Sequence, residues 1–121
     1  FDAVLIKNNH IAVAGGVKAA LERTRGRPAQ IEVRTMAELE EALQCGANHL
    51  LLDNFSVAEV AEAVRLIRGR ARVEVSGGVT LATARAYAET GVDFVSAGAL
   101  THSAPAVDLS FRLQMDADER R

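Results

Sequence analysis

Cysteine is nearly missing from this sequence. Cys45 stands alone, so no internal disulfide can staple the fold, and the cytoplasm is the expected compartment. Charge of one sign is missing as well: 14 Lys and Arg are interspersed with 16 Asp and Glu, for a formal net charge of −2. That balance excludes an electropositive surface for wrapping nucleic acid or docking on anionic lipid, so any anion is bound locally. No apolar run approaches the roughly 20 residues that span a bilayer, and the N-terminus lacks the flanks of a signal peptide, so a soluble chain is expected. His and Cys show no metal-site spacing; a metal here would be held by carboxylates, which suits Mg²⁺ carried in with a phosphorylated substrate. Tyr87 and the four phenylalanines form no stacking pattern beyond core packing. What remains is 121 residues, 49% of them hydrophobic, enough for one domain or a piece of one. Because Phe1-Asp2-Ala3-Val4-Leu5-Ile6 reads at once as a buried strand, the sequence is expected to begin mid-domain.

Short β-branched runs recur at Ala3–Ile6, Ile31–Val33, His49–Leu52, Arg72–Val75 and Phe94–Ala97, and they read as strands. Between them, Val17–Thr24, Met36–Gln44, Val57–Arg68 and Leu81–Glu89 place apolar residues three and four apart, as helices do. Thr35 with Glu38 and Ser56 with Glu59 form capping boxes, and Gly26, Gly46, Gly69 and Gly91 mark helix ends. The run Ala42–Leu52 and the run Tyr87–Ala97 repeat one pattern of helix end, glycine, polar residue and strand. Strand starts roughly 20 to 28 residues apart are what consecutive βα units of a parallel barrel or open sheet require, with right-handed connections. Asp108–Leu113, after Pro105, is expected to add one more helix, and Asp116–Arg121 a frayed polar tail.

In parallel α/β folds the ligand sits at the carboxyl ends of the strands. The five expected strands end at or near Lys7, Glu32, Asp53, Ser76-Gly77-Gly78 and Gly98. Alternation puts Ile31, Val33, Val73 and Val75 on one face and Glu32, Glu74 and Ser76 on the other. If the aliphatic face meets the helices, the polar groups point into a barrel. A buried carboxylate at Glu32 needs Lys7, a metal or a cationic ligand beside it. A purely structural Lys7–Glu32–Asp53 ion network would satisfy the same need. Ser76-Gly77-Gly78-Val79-Thr80 follows a strand and opens a helix, so its amides and the helix dipole can address a phosphate, although Gly77-Gly78 by itself is also an ordinary tight turn. Gly98-Ala99-Leu100-Thr101-His102 repeats the arrangement after the next strand, where such barrels often hold phosphate. His102 can donate to an anion there; His10 is placed to order the loop after the first strand, and His49 to pack. Cys45, beside a helix-ending glycine, reads as a small buried hydrophobe.

In order along the chain, Leu5-Ile6-Lys7-Asn8-Asn9-His10, Ile31-Glu32-Val33, Leu51-Leu52-Asp53-Asn54-Phe55, Glu74-Val75-Ser76-Gly77-Gly78 and Val95–Ser103 resemble the sequential motifs of quinolinate phosphoribosyltransferases. The resemblance implies part of an incomplete TIM-like parallel barrel, with residues 1–115 its C-terminal portion and 116–121 a tail. It also implies conversion of quinolinate and phosphoribosyl pyrophosphate to nicotinate mononucleotide, pyrophosphate and carbon dioxide with Mg²⁺, a step of NAD synthesis. In the roles it implies, Lys7 contacts the substrates near the reacting centre, and Glu32 and Asp53 hold the ribose hydroxyls and the Mg²⁺–pyrophosphate. Ser76, Gly77 and Gly78, with Gly98, Ala99, Leu100 and His102, receive the 5′-phosphate. Asn8 stands where the family often has an acidic residue, and Val75 where a smaller one is frequent. The family's N-terminal domain and earlier strands supply basic residues for the quinolinate carboxylates, and its subunits pair so that one completes its neighbour's site. Neither is written in this sequence, so the isolated chain is expected to be inactive. The readings that compete are another phosphoribosyl-transferring or phosphate-binding barrel, including a molybdenum-associated paralogue of the same fold, and a non-catalytic fragment that needs its missing half.

Overall fold

A computed structural model describes residues 2–113. The alternation read from the sequence is realised as β1 (Val4–Ile6), α1 (Asn8–Ala14), α2 (Val17–Arg23), β2 (Ala29–Val33), α3 (Met36–Gln44), β3 (His49–Asp53), α4 (Val57–Ile67), β4 (Arg72–Ser76), α5 (Leu81–Ala88) and β5 (Phe94–Val95), followed by a 3₁₀ turn at Gly98–Leu100. All five strands pair in parallel, in the spatial order β1-β2-β3-β4-β5. Because each strand lies beside its predecessor, every right-handed crossover advances in the same direction and leaves its helix on the same side. The helices accordingly pack in series along one layer, α1 on α2, α2 on α3, α3 on α4 and α4 on α5. This is the winding of a barrel wall. A doubly wound sheet reverses its strand order and places helices on both faces.

The strand register shows which side chains share a face. Ile6, Ile31, Leu50 and Val73 align across the sheet, and Val33, Leu52 and Val75 form the next row. Every one of these is buried, and they join Leu39, Val60, Ala63 and Ile67 from the helices in one core. In α4, Val60, Ala63 and Ile67 recur at helical spacing and bury one stripe. Residues between these rows, including Gln30, Glu32, Asp53, Glu74 and Ser76, point from the opposite face. There, Glu74 accepts hydrogen bonds from Gln30 Nε2 (2.7 Å) and Ser96 Oγ (2.5 Å).

The capping box at Ser56 and Glu59 closes in both directions, at 3.3 Å and 2.7 Å. At Thr35 only half of the expected box forms: its hydroxyl accepts from Glu38 N (3.2 Å), while the Glu38 carboxylate reaches one residue further back, to Arg34 N (2.7 Å). Gly26, Gly46, Gly69 and Gly91 all adopt positive φ at helix ends, as expected.

Three expectations are corrected. The segment after β1, expected as a loop, is helix α1, started by the Lys7 N–H donating to His10 Nδ1 (2.9 Å). Strand β5 is shorter than Phe94–Ala97, although Ser96 N still bonds to Val75 O (2.9 Å). Residues 108–113 form no helix. Their apolar side chains, Leu109, Phe111 and Leu113, are exposed, so no burial offsets the entropy of ordering them. The polar tail expected at 116–121 lies outside the described residues, as do Phe1 and residues 114 and 115. No helix among the described residues is long and apolar enough to cross a membrane.

Candidate functional site

The polar strand ends gather into two neighbouring groups. In the first, Glu32 projects from β2 and is buried, its side chain 7% exposed. Its carboxylate lies 3.8 Å from Lys7 Nζ and 3.4 Å from an Arg34 terminal nitrogen. The Lys7 side chain is 57% exposed, so it reaches the carboxylate from the solvent side. Asp53, at the end of β3, accepts from Arg34 Nε and from Asn54 Nδ2, each at 3.1 Å. Lys7, Glu32 and Asp53 thus lie in one ion cluster whose central member is Arg34, which bridges the two carboxylates, while Lys7 approaches Glu32.

Arg34 was missed because it falls just past the end of its strand, yet alternation alone places it on the same face as Glu32. Asn8, at the start of α1, completes the group. With its amide nitrogen turned toward Glu32 Oε1 (3.0 Å), its oxygen accepts from Arg34 Nη1 (2.7 Å). An amide can donate to the carboxylate and accept from the guanidinium at once, which a carboxylate cannot do. An acidic side chain there would set a like charge against Glu32. The departure at Asn8 thus matches a local arrangement that contains Arg34.

The second group is a cleft of about 700 Å³ between the ends of β4 and β5, lined by Ser76–Thr80 and Val95–Ser103. Both expected phosphate loops face this one space. Among the described residues, the amides of Gly77, Gly78, Gly98 and Ala99 donate to no protein acceptor. The amides of Thr101, His102 and Ser103, in contrast, all turn back on the Gly98 carbonyl, at 3.0 to 3.2 Å. Those three hold the loop. Thr80, at the start of α5, spends its hydroxyl on a cap with Thr83.

Two glycines lie under close neighbours, Gly77 against backbone and Gly98 against a side chain. A Cβ on Gly77, whose φ is +90°, would strike the side chain of Asn54 and its backbone nitrogen (2.7 Å). A Cβ on Gly98 would strike the His102 ring, which folds back over it and bonds through Nδ1 to Ser103 Oγ (2.8 Å). Asn54 also links the two groups. It follows Asp53, adopts a left-handed φ of +62°, and donates its backbone N–H to Ser76 O (2.9 Å). The carboxylate cluster and the cleft are thus adjacent along paired strands, since Asp53 and Ser76 are register partners. Leu100 is 82% exposed at the mouth of the cleft. His49 packs its ring 6.0 Å from that of Phe94, in keeping with its expected packing role.

A singly wound parallel sheet with its helices in series along one layer and polar groups at its carboxyl ends is the architecture of an α/β-barrel segment. Residues 1–112 match the family model described as quinolinate phosphoribosyl transferase, C-terminal domain. The chain belongs to this family. It is 36% identical to a chloroplastic nicotinate-nucleotide pyrophosphorylase (carboxylating) of Oryza sativa subsp. japonica, over 96% of this chain and 38% of the rice protein. To quinolinate phosphoribosyltransferase (decarboxylating) 1b of Nicotiana tabacum it is 37% identical, over 96% of this chain and 40% of the other. The solved structure of the nicotinate-nucleotide pyrophosphorylase from Francisella tularensis superimposes with a TM-score of 0.79 at 41% identity, covering 84% of this chain and 38% of that one. The chain therefore spans about two fifths of the length of these relatives.

Proposed function

We propose that this chain supplies the phosphoribosyl pyrophosphate side of an active site that converts quinolinate and phosphoribosyl pyrophosphate to nicotinate mononucleotide, pyrophosphate and carbon dioxide. The observation that carries the reading is the adjacency of a cleft with unsatisfied amides to a cluster of Lys7, Glu32 and Asp53. A phosphate in the cleft would take the free amides of Gly77, Gly78, Gly98 and Ala99, with Ser76, Leu100 and His102 at its border, as α5 directs its positive end there. That placement would leave the ribose toward the carboxylates. Departure of pyrophosphate develops positive charge on the ribose and negative charge on the leaving group. Glu32 and Asp53 suit the first and Lys7 the second. Their hard carboxylate oxygens also fit Mg²⁺, and the pair already balances a cation in Arg34. Mg²⁺, when bound, would neutralise the pyrophosphate. Relatives named as acting on quinolinate motivate the choice of base; a paired homo-oligomer and a cytoplasmic setting complete the reading.

Titration with phosphoribosyl pyrophosphate and Mg²⁺ tests it. Asp53→Ala should weaken binding roughly tenfold or more, the value of a lost hydrogen bond to a charged group. Equal affinities would return Asp53 to a purely structural ion network. The 121-residue chain alone should not consume quinolinate, and measurable carbon dioxide release by it would contradict the assignment of the base-recognising groups to other parts of the enzyme.

A further inference from the structure

Arg34 is the unexplained member of the cluster. Its guanidinium is 3.4 Å from Glu32 Oε1 through one terminal nitrogen and 3.1 Å from Asp53 Oδ2 through Nε, and Asn8 holds a further nitrogen at 2.7 Å. Three protein oxygens on three different elements thus fix one planar group in the space the two carboxylates share. A fork-shaped donor suits this bridging, which a point charge cannot reproduce. The side chain remains 52% exposed, so its outward path is open to solvent.

We infer that Arg34 is a resident counter-cation that competes with a divalent metal for Glu32 and Asp53, and so keeps the carboxylate pair in position while holding its affinity for bare metal low. The inference deepens the proposed function. With Arg34 in place, a bare divalent cation would lose two ion pairs' worth of attraction and meet a positive charge at close range. A metal arriving with pyrophosphate brings negative charge of its own, which gives the displaced guanidinium a new partner. Arg34 is thus a positioning residue, acting through the two carboxylates, and it makes metal binding depend on the phosphorylated ligand.

Mn²⁺ alone, followed by water-proton relaxation, is the probe, so the outcome does not depend on whether the cleft binds phosphoribosyl pyrophosphate. Arg34→Ala and Arg34→Gln should bind Mn²⁺ about tenfold more tightly than the parent, as removal of a close positive charge requires, with Arg34→Lys between them. A structural role alone would weaken metal binding or leave it unchanged. Adding Asp53→Asn to Arg34→Ala should abolish the gain. Circular dichroism identifies variants with the parent's helix content, and Arg34→Gln and Arg34→Lys provide neutral and charged replacements that still fill the space. Equal or weaker Mn²⁺ affinity in Arg34→Ala and Arg34→Gln overturns the inference, and so does a gain that survives Asp53→Asn.

Discussion

The contact between Gly77 and Asn54 welds the carboxylate cluster to the cleft, and it can be weighed by comparing two adjacent glycines. Gly77→Ala and Gly78→Ala both put a side chain on a residue with positive φ, +90° and +63° respectively. That conformation costs an L-residue about 1–2 kcal/mol, of which about 0.4–1 kcal/mol is returned because alanine also restricts the unfolded chain. For Gly78 nothing lies within 4 Å of the new Cβ, so the net loss should be about 1 kcal/mol or less. For Gly77 the new carbon overlaps the Asn54 side chain and comes within 2.7 Å of its backbone nitrogen. Relief requires Asn54 to move and endangers its N–H bond to Ser76 O and its side-chain bond to Asp53. Two bonds at about 1 kcal/mol each raise the expected loss to about 3 kcal/mol. Urea denaturation of the two variants, compared at equal m-value, measures the difference. A gap below about 1 kcal/mol would refute the close packing, because φ at Gly77 lies beyond the left-handed well that Gly78 occupies and can only widen the difference.

Two further outcomes follow from single contacts. Tyr87→Phe removes a buried donor 2.9 Å from Phe55 O and leaves that carbonyl unpaired, so denaturation should show a loss of about 1–2 kcal/mol, and an unchanged midpoint would place a water at the vacated position. The Glu59 carboxyl is held below the ordinary carboxylate value by the Ser56 side chain and then by the Ser56 amide. A depressed folded value means the cap stabilises at pH above the unfolded value and is lost as pH falls through the folded one. Glu59→Gln should therefore remove part of the acid-side decline in stability, and urea midpoints that fall with acid as steeply as the parent's would contradict it.

The parallel βα order was legible because two signals agreed. β-branched runs recurred at regular spacing, and each was followed by an apolar helical stripe ended by glycine. Where one signal was absent, the reading failed. Helix α1 begins Asn8-Asn9-His10, residues with weak helix propensity, and buries no side chain fully, so its start depends on the His10 ring at the Lys7 amide rather than on periodicity. Residues 108–113 show the converse: apolar content without an opposing surface in this chain leaves no helix.

The site divides along the same line. Alternation within a strand located Glu32 and Glu74 on the open face, since a single strand fixes which way its side chains point. It cannot say which carboxylate meets which cation, because partners come from other strands, and their pairing depends on register. Asp53 and Ser76 are level across β3 and β4, and β2 is set so that the residue just beyond it, Arg34, reaches Asp53. Had β2 slipped by one residue, Ile31 and Val33 would face the cluster and Glu32 would enter the core among Leu50 and Leu52, where a carboxylate has no partner. The aliphatic rows therefore decide the geometry of the charged ones. Burying Ile31, Val33, Leu50, Leu52, Val73 and Val75 together rules out every one-residue slip, and in the observed register Arg34 stands between Glu32 and Asp53.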